Sequence, residues 1–531
     1  MPFKVSTHFN FATDVIDKYA RNRNQLALHW VNQDMSVERK YTFFDLSLAS
    51  QKVANVLKSH GIGKGDRILI VLPRIPQWWQ AMIGITRRGA VPIPGTTQLT
   101  PKDLKYRIDN AKVAAVITDI AETAKFSSHM GGGIKFFAVG GTAPGWIDWD
   151  LEVSCASNTY TGPKTRSDDP GILYFTSGTT GYPKMVLHSQ VSYPLAHKIT
   201  GKYWLGCNEH DLQWVIADTG WGLTVWGGLY GPWNCGACVF VHDSRTKFHA
   251  REVLECIRRF HITNLCAPPT VYRMMVLEDL TQYRFQFLKH CVSAGERLNE
   301  GVMSSWKKAT GLTIHEGYGQ TESILLTGNF VGAKIKPGSM GKASPGFECA
   351  VLNGAGKRVK NAEGDLVVRV KPRYPVGLFK EYLNNPEENR ARFVGQWYYT
   401  QDRAIEDKDG YFWFVGRADD VIVSAGYRIG PFEVEAALAE HPAVAEAAAV
   451  AKPDELRGAI VKAFCVLRNG YKPSLEMTSE LQEYVKRTTA PYKYPREIEF
   501  LNELPKTING KIRRIELRIA EEEKFLANSK Q

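Results

Sequence analysis

Residues 171–184 bring an apolar run, GILYF, up to TSGTTGYPK, a loop of hydroxyls and glycines closed by a lysine. Its members are Thr176, Ser177, Gly178, Thr179, Thr180, Gly181, Tyr182, Pro183 and Lys184. Glycines let backbone N–H groups approach anionic oxygens without a Cβ in the way, so a strand delivering this loop suits phosphate binding. It is not the P-loop pattern, which places Gly directly before Lys, where this chain has Pro183. A second candidate, GSMGKAS, fails because position 336 is Lys. The hydroxyl-rich hexapeptide alone fits a plain surface turn equally well.

Three further stretches carry usable groups. HEGYGQTES, residues 315–323, reads as a glycine-loosened loop in which Tyr318 can stack on a purine and Thr321 and Glu322 offer hard oxygen ligands for Mg2+. Asp402 follows the aromatic residues Trp397, Tyr398 and Tyr399 and can accept two hydrogen bonds from vicinal ribose hydroxyls, with Arg417 as a second ribose contact. Lys511 lies in PKTINGKIRR, where Asn509 and Gly510 form a turn signal that presents the ammonium as a compact point charge. Each has a plain alternative: a turn, a solvated turn carboxylate, a solubilising tail charge. Lys506, Arg513 and Arg514 are read as the last of these.

Positioning such groups requires a scaffold, and the first third of the chain alternates helix and strand signals. DLSLASQKVANVLKSHGI and PQWWQAMIGITRRGA are apolar at helical spacing, while DRILIVLP and AAVITD are short β-rich runs. Thr100 followed by Pro101 reads as an N-cap with proline at the first helical position. This alternation predicts an α/β fold with largely parallel sheets covered by helices. Near residue 416 the pattern changes: GRADD and the Gly-rich SAGYRIG lead into PFEVEAALAEH, two strand-like runs, a further helix and a charged tail helix. We read a large N-terminal domain, 1–418, and a small α+β C-terminal domain, 419–531, joined by a hinge at Asp419.

At 531 residues, 44% hydrophobic and 23% charged, the chain can bury a core in each domain. Its formal net charge of +12 is scattered, which suits nucleotide and CoA phosphates better than a nucleic-acid partner. No window approaches the apolar length of a transmembrane segment, and the first twenty residues lack a secretory apolar region, so a cytoplasmic enzyme is expected. The nine cysteines are too few and too irregular for a disulfide framework. Cys235 and Cys238 form a lone CxxC, read as buried small hydrophobes.

Six stretches together resemble the adenylate-forming (ANL) superfamily, and most closely its medium-chain acyl-CoA synthetases. They are YFTSGTTGYPKM, ADTGWG, SAGERL, EGYGQTES, the run from WYYTQDRA to PFEVE, and LPKTINGKIRR. They arrive in family order and span most of the chain. The resemblance implies an ATP-dependent ligase that adenylates a carboxylic acid and transfers the acyl group to CoA, using Mg2+. It implies ATP/AMP binding by residues 176–184, by Glu316, Gly317, Tyr318, Gly319, Gln320 and Thr321, and by Asp402 and Arg417. It implies metal binding at Thr321 and Glu322, and catalysis of adenylation by Lys511. For CoA it implies Gln98, Ala425, Gly426, Tyr427, Arg428, Arg457, Lys486 and Tyr494. Rotation about the hinge is implied to exchange Lys511 for the Gly426 loop between half-reactions.

The acyl pocket is expected at Trp221 and Gly319. Acetate-specific members carry Trp at the position of Gly319, so glycine implies room for a longer chain and a medium-chain acid is expected, with branched and aryl acids left open. Trp204, Trp226 and Trp233 are read as core. Family members usually have Gly where this chain has Gln401, which touches loop shape rather than chemistry. The rival readings are a stand-alone adenylating enzyme loading a carrier protein, a luciferase-like oxygenase and a silent nucleotide-binding regulator.

Overall fold

Two capping boxes open helices that cover the first sheet. Thr42 accepts from the Asp45 backbone N–H while Asp45 accepts from that of Thr42, starting the helix Phe43–Ser59. Thr100 and Asp103 repeat the arrangement for Pro101–Ala111, with the proline at the first helical position as its sequence predicts. Phe43–Ser59 packs on Pro76–Arg88 at Gly84, where a Cβ would lie 2.3 Å from Val53 Cγ1. Only glycine permits that approach.

The structure, a computed structural model, describes residues 5–528 apart from 130–131, 177–182, 247, 297, 418–419, 421, 425–426, 455–457, 490–492 and 507–511. It divides into two compact units: Met1–Cys349 with Arg369–Trp397, and Ala350–Val368 with Tyr398–Gln531. The contact boundary thus precedes residue 398. The reason is pairing at long range in sequence, because the strand Trp397–Glu406 joins Glu363–Arg369 and so carries 350–368 with the C-terminal residues.

In the larger unit, one sheet is parallel throughout, in the order Val91–Pro94, Arg67–Val71, Val113–Asp119, Lys135–Val139, Ile147–Asp148. A nine-stranded sheet has a parallel centre running from Leu26–Val31 to Ile314–Gly319, with antiparallel strands at its edges. A smaller antiparallel sheet places Lys184–Ser189 between Pro170–Thr176 and Glu381–Tyr382. Trp78, Trp79 and Trp149 are fully buried in the core that links these layers, each side chain contributing about 1.5–3 kcal/mol or more by burial.

In the smaller unit, Val444–Asp454 pairs antiparallel with Gly458–Leu467, which pairs parallel with Glu497–Phe500. The helices Pro431–Glu440 and Leu475–Thr488 bury Val434, Leu438, Leu481 and Val485 against it. The α/β class and the smaller α+β unit therefore match the expectation. Among the described residues no helix is long and apolar enough to cross a membrane. All nine cysteines are free thiols, with Cys235 half-buried and Cys238 buried.

Candidate functional site

The first half of the HEGYGQTES segment is not the loop its glycines suggest, whereas Gln320–Glu322 do form a turn. Ile314–Gly319 is a strand, parallel to His290–Ala294 and antiparallel to Leu325–Gly328, with a register shift between Tyr318 and Gly319. The glycines answer to packing rather than to backbone freedom. A Cβ on Gly317 would lie 2.7 Å from Trp204 Cε2, and one on Gly319 would lie 2.4 Å from Trp226 Cη2 and 2.7 Å from the Ile324 carbonyl oxygen. The space beside Gly319 is thus occupied by an indole. Trp204, Trp226 and Trp233 are all buried, as read from sequence, yet two of them face this strand.

On the same strand Glu316 is buried and accepts the Leu298 backbone N–H. Beyond it Tyr318, Gln320, Thr321 and Glu322 are half-buried. The Thr321 carbonyl accepts from His188 Nε2 at 2.7 Å, and His188 Nδ1 meets Ser192 Oγ at 3.2 Å. Burial drives the His188 imidazole down to about 3, the Thr321 hydrogen bond opposing it, so the ring is neutral and donates through Nε2. Tyr382 Oη donates to Glu322 Oε1 at 2.8 Å and fixes that carboxylate.

Thr176 ends the strand Pro170–Thr176 and Lys184 begins Lys184–Ser189, so the two flank the hydroxyl loop. Residues 177–182 lie outside those described. Pro183 offers its carbonyl to Tyr106 Oη at 3.1 Å. Lys184 Nζ is held 2.6 Å from Glu388 Oε1, and Arg392 Nε donates to the same oxygen at 2.6 Å. Burial raises the Glu388 carboxyl, but its two cationic partners outweigh this and hold it below its ordinary value. Sequence reading missed His188, Tyr382 and Glu388. Only Glu388 left a trace, an i,i+4 pair with Arg392 after the helix start at Pro386.

Trp221 is half-buried, and its Nε1 has no hydrogen-bond partner among the described residues. Beside it Gly220 lies against the Gln98 loop: a Cβ there would be 2.2 Å from the Thr96 backbone nitrogen. Gln98 itself is exposed, its N–H bonded to Thr96 Oγ1.

In the smaller unit Asp402 and Arg417 are register partners, and Arg417 Nε lies 3.4 Å from Asp402 Oδ1. Asp402 is buried at 3% exposure. Gln401, in the usual glycine position, has φ of 61°, the left-handed conformation that glycine adopts most readily. Lys486 Nζ sits 4.3 Å from the Tyr494 ring centroid, and Arg496, which sequence reading passed over, donates to Tyr494 Oη at 3.1 Å. Tyr427 and Arg428 return along Ile422–Ser424 in a two-stranded hairpin. Ala425, Gly426, Arg457, Lys511 and the hinge residue Asp419 lie outside the described residues.

With this geometry in place, residues 16–383 match the family described as AMP-binding enzyme, and residues 433–511 match the AMP-binding enzyme C-terminal domain. The chain belongs to this family. It is 44% identical to the mitochondrial acyl-coenzyme A synthetase ACSM3 of Mus musculus, over 97% of this chain and 91% of the relative. It is 47% identical to the mitochondrial acyl-coenzyme A synthetase ACSM5 of Rattus norvegicus, with the same coverage. The crystal structure of the anthranilate CoA ligase AuaEII in complex with anthranoyl-AMP matches at a TM-score of 0.89 and 30% identity, covering 99% of each chain. Among AMP-binding enzymes the chain is thus an acyl-CoA synthetase, as its six motifs imply.

One expectation is corrected. The cytoplasmic assignment conflicts with these relatives, which are named as mitochondrial. A mitochondrial address depends on amphipathic, Arg-rich patterning, so the lack of an apolar run did not bear on it.

Proposed function

We propose that this AMP-binding enzyme activates a medium-chain, branched or aryl carboxylic acid as its adenylate and passes the acyl group to CoA, in the mitochondrion. In the first step a carboxylate oxygen attacks the α-phosphorus of ATP, the bond to the β-phosphate oxygen breaks, and pyrophosphate leaves. Such a reaction needs positioning and charge neutralisation rather than a protein nucleophile.

The 176–184 loop holds the phosphates, Tyr318 the adenine, and Asp402 with Arg417 the ribose, while Lys511 neutralises charge where carboxylate meets phosphate. Thr321 and Glu322 would hold Mg2+, which when bound offsets phosphate charge. Their hydroxyl and carboxylate are a hard-oxygen set, and Mg2+ needs only one or two protein oxygens beside phosphate and water. Tyr382 holds one Glu322 oxygen in place for this task. Lys184 is preorganised by Glu388, which it shares or leaves when phosphate arrives.

In the second step the CoA thiolate attacks the acyl carbonyl and AMP departs with the bonding electrons. Gln98, residues 425–428, Arg457, Lys486 and Tyr494 receive CoA. The domains 1–418 and 419–531 turn about Asp419 between steps.

The observation that carries this reading is the near-complete match to AuaEII, whose structure holds an aryl adenylate. Linear, branched and aromatic acids of two to twelve carbons, assayed with ATP and CoA for both AMP and thioester, provide the test. Equal AMP and thioester yields on medium-length or aryl acids are expected. AMP release with acyl groups retained on protein, or activity confined to acetate, would overturn the reading.

A further inference from the structure

In the proposed reaction Lys511 acts in adenylation, and a charged anchor stands three residues beyond it. Arg514 opens the helix Arg514–Asn528. Its sequence context reads as a solubilising tail charge, but in the structure its guanidinium meets the Glu435 carboxylate with both arms, Nε donating to Oε1 at 2.6 Å and Nη2 to Oε2 at 2.5 Å. Both side chains are largely buried, at 14% and 10% exposure. The guanidinium carbon also lies 4.1 Å from the Phe432 ring centroid. A two-armed contact of this kind fixes direction as well as distance.

Glu435 cannot drift with its partner. It sits within the helix Pro431–Glu440, and its Oε1 also accepts the Ala449 backbone N–H at 2.8 Å, which ties it to the strand Val444–Asp454. The chain on either side of 507–511 is joined at its base: Lys506 and Ile512 pair as an antiparallel bridge, and the Arg513 N–H donates to the Pro505 carbonyl at 2.8 Å. Leu504, Ile512 and Leu517 pack with Ala448, Val450 and Phe464 beneath it. A second ion pair, Lys506 to Glu446 at 2.6 Å, is 38% and 40% exposed. Exposed pairs hold little, whereas breaking a buried one leaves a charge uncompensated, so Glu435 is the stronger charged tie.

We infer that Glu435 is a positioning residue for the adenylation half-reaction: by holding Arg514 it fixes the base of the segment that carries Lys511. Glu435 touches no reactant, and its effect passes through the backbone between Arg514 and Lys511. Misplacing a reacting group by about 1 Å costs roughly 10² in rate, so a loosened base is felt at the lysine. The thioester step, in which Lys511 has no part, is indifferent to it. This inference deepens the proposed ligase reading and rests on it.

The test measures the two half-reactions separately, adenylation by acid-dependent exchange of pyrophosphate into ATP and thioester formation from supplied acyl-adenylate and CoA. Glu435→Gln keeps an oxygen for the Ala449 N–H and removes the charge that Arg514 meets. Its adenylation kcat is expected to fall roughly ten- to hundred-fold with the KM for ATP little changed. Its thioester step should stay within about two-fold of wild type. Arg514→Ala should behave alike, and Arg514→Lys, which keeps the charge but not the fork, should fall between. Glu446→Gln, at the exposed pair, should leave both half-reactions within about two-fold. Unchanged adenylation in folded Glu435→Gln and Arg514→Lys overturns the inference, as do equal losses in both half-reactions. Lys511→Ala assayed alongside separates the two readings. Impaired adenylation there with none in Glu435→Gln strikes only the inference, whereas unimpaired adenylation in Lys511→Ala removes the role assigned to the lysine itself.

Discussion

The two strands that carry the proposed nucleotide-site residues use glycine in opposite ways. Ile314–Gly319 in the larger unit carries glycines because indoles stand where side chains would be. Trp397–Glu406 in the smaller unit carries Gln401 at a positive φ, the conformation for which glycine is suited. The first strand is specified by space and the second by charge, since its contribution is the buried Asp402 facing Arg417. A glycine in a motif therefore does not disclose whether volume or backbone freedom demands it, and a missing glycine need not remove the function.

The largest effect should come from the charge-dominated side. Lys511→Ala is expected to cut adenylation by about 10² to 10³, the usual consequence of losing a preorganised cation at a centre of developing charge. Thioester formation from supplied acyl-adenylate and CoA should be nearly normal. Equal losses in both assays would break the division of labour.

The space-dominated side is tested by Gly319→Ala. Its Cβ meets an indole and a backbone carbonyl, so unfolding free energy should fall by about 1–3 kcal/mol in denaturant titrations. Gly354, with nothing within 4 Å of its Cβ position, is the control, and Gly354→Ala should stay within about 0.5 kcal/mol. Equal costs at both positions would mean that packing does not explain the strand.

Tyr382→Phe sharpens the contrast by removing a hydrogen bond to a charge without altering volume. A hydrogen bond to an ionised group contributes about 1.5–3 kcal/mol, so the Mg2+ concentration for half-maximal adenylation should rise roughly ten-fold. An unchanged requirement would detach Glu322 from the metal. The smallest effect is a gain. Gln401→Gly should relieve left-handed strain and stabilise the smaller unit by about 0.5–1 kcal/mol, read as a higher denaturation midpoint.

Local signals in the sequence were sufficient for much of this. Thr100, Asp103 and Pro101 declare a helix start within four residues, and the helix-strand alternation of the first third follows from apolar period alone. The 176–184 loop, Asp402 and Arg417 stand out as candidates because their residue types sit in contiguous motifs. What escaped depends on contacts between distant residues. His188 is a lone histidine until Thr321 is brought to it, and Tyr382 an ordinary aromatic until it meets Glu322. HEGYG reads as a loop because its glycines look permissive, and only the facing indoles reveal them as obligatory. The pairing of 363–369 with 397–406 likewise has no local mark.

The free thiols carry a last consequence. An acyl-adenylate is a mixed anhydride, and any sulfur nucleophile within reach competes with CoA for it. Burial pushes Cys235 up to about 11 and Cys238, Cys256, Cys291 and Cys465 up to about 12, and Cys207 and Cys266 are raised as well. Since the thiolate is the nucleophile, these sulfurs are protonated spectators at neutral pH. Cys155 alone is exposed. A thiol-reactive probe applied to the native chain is therefore expected to find one ready address, Cys155.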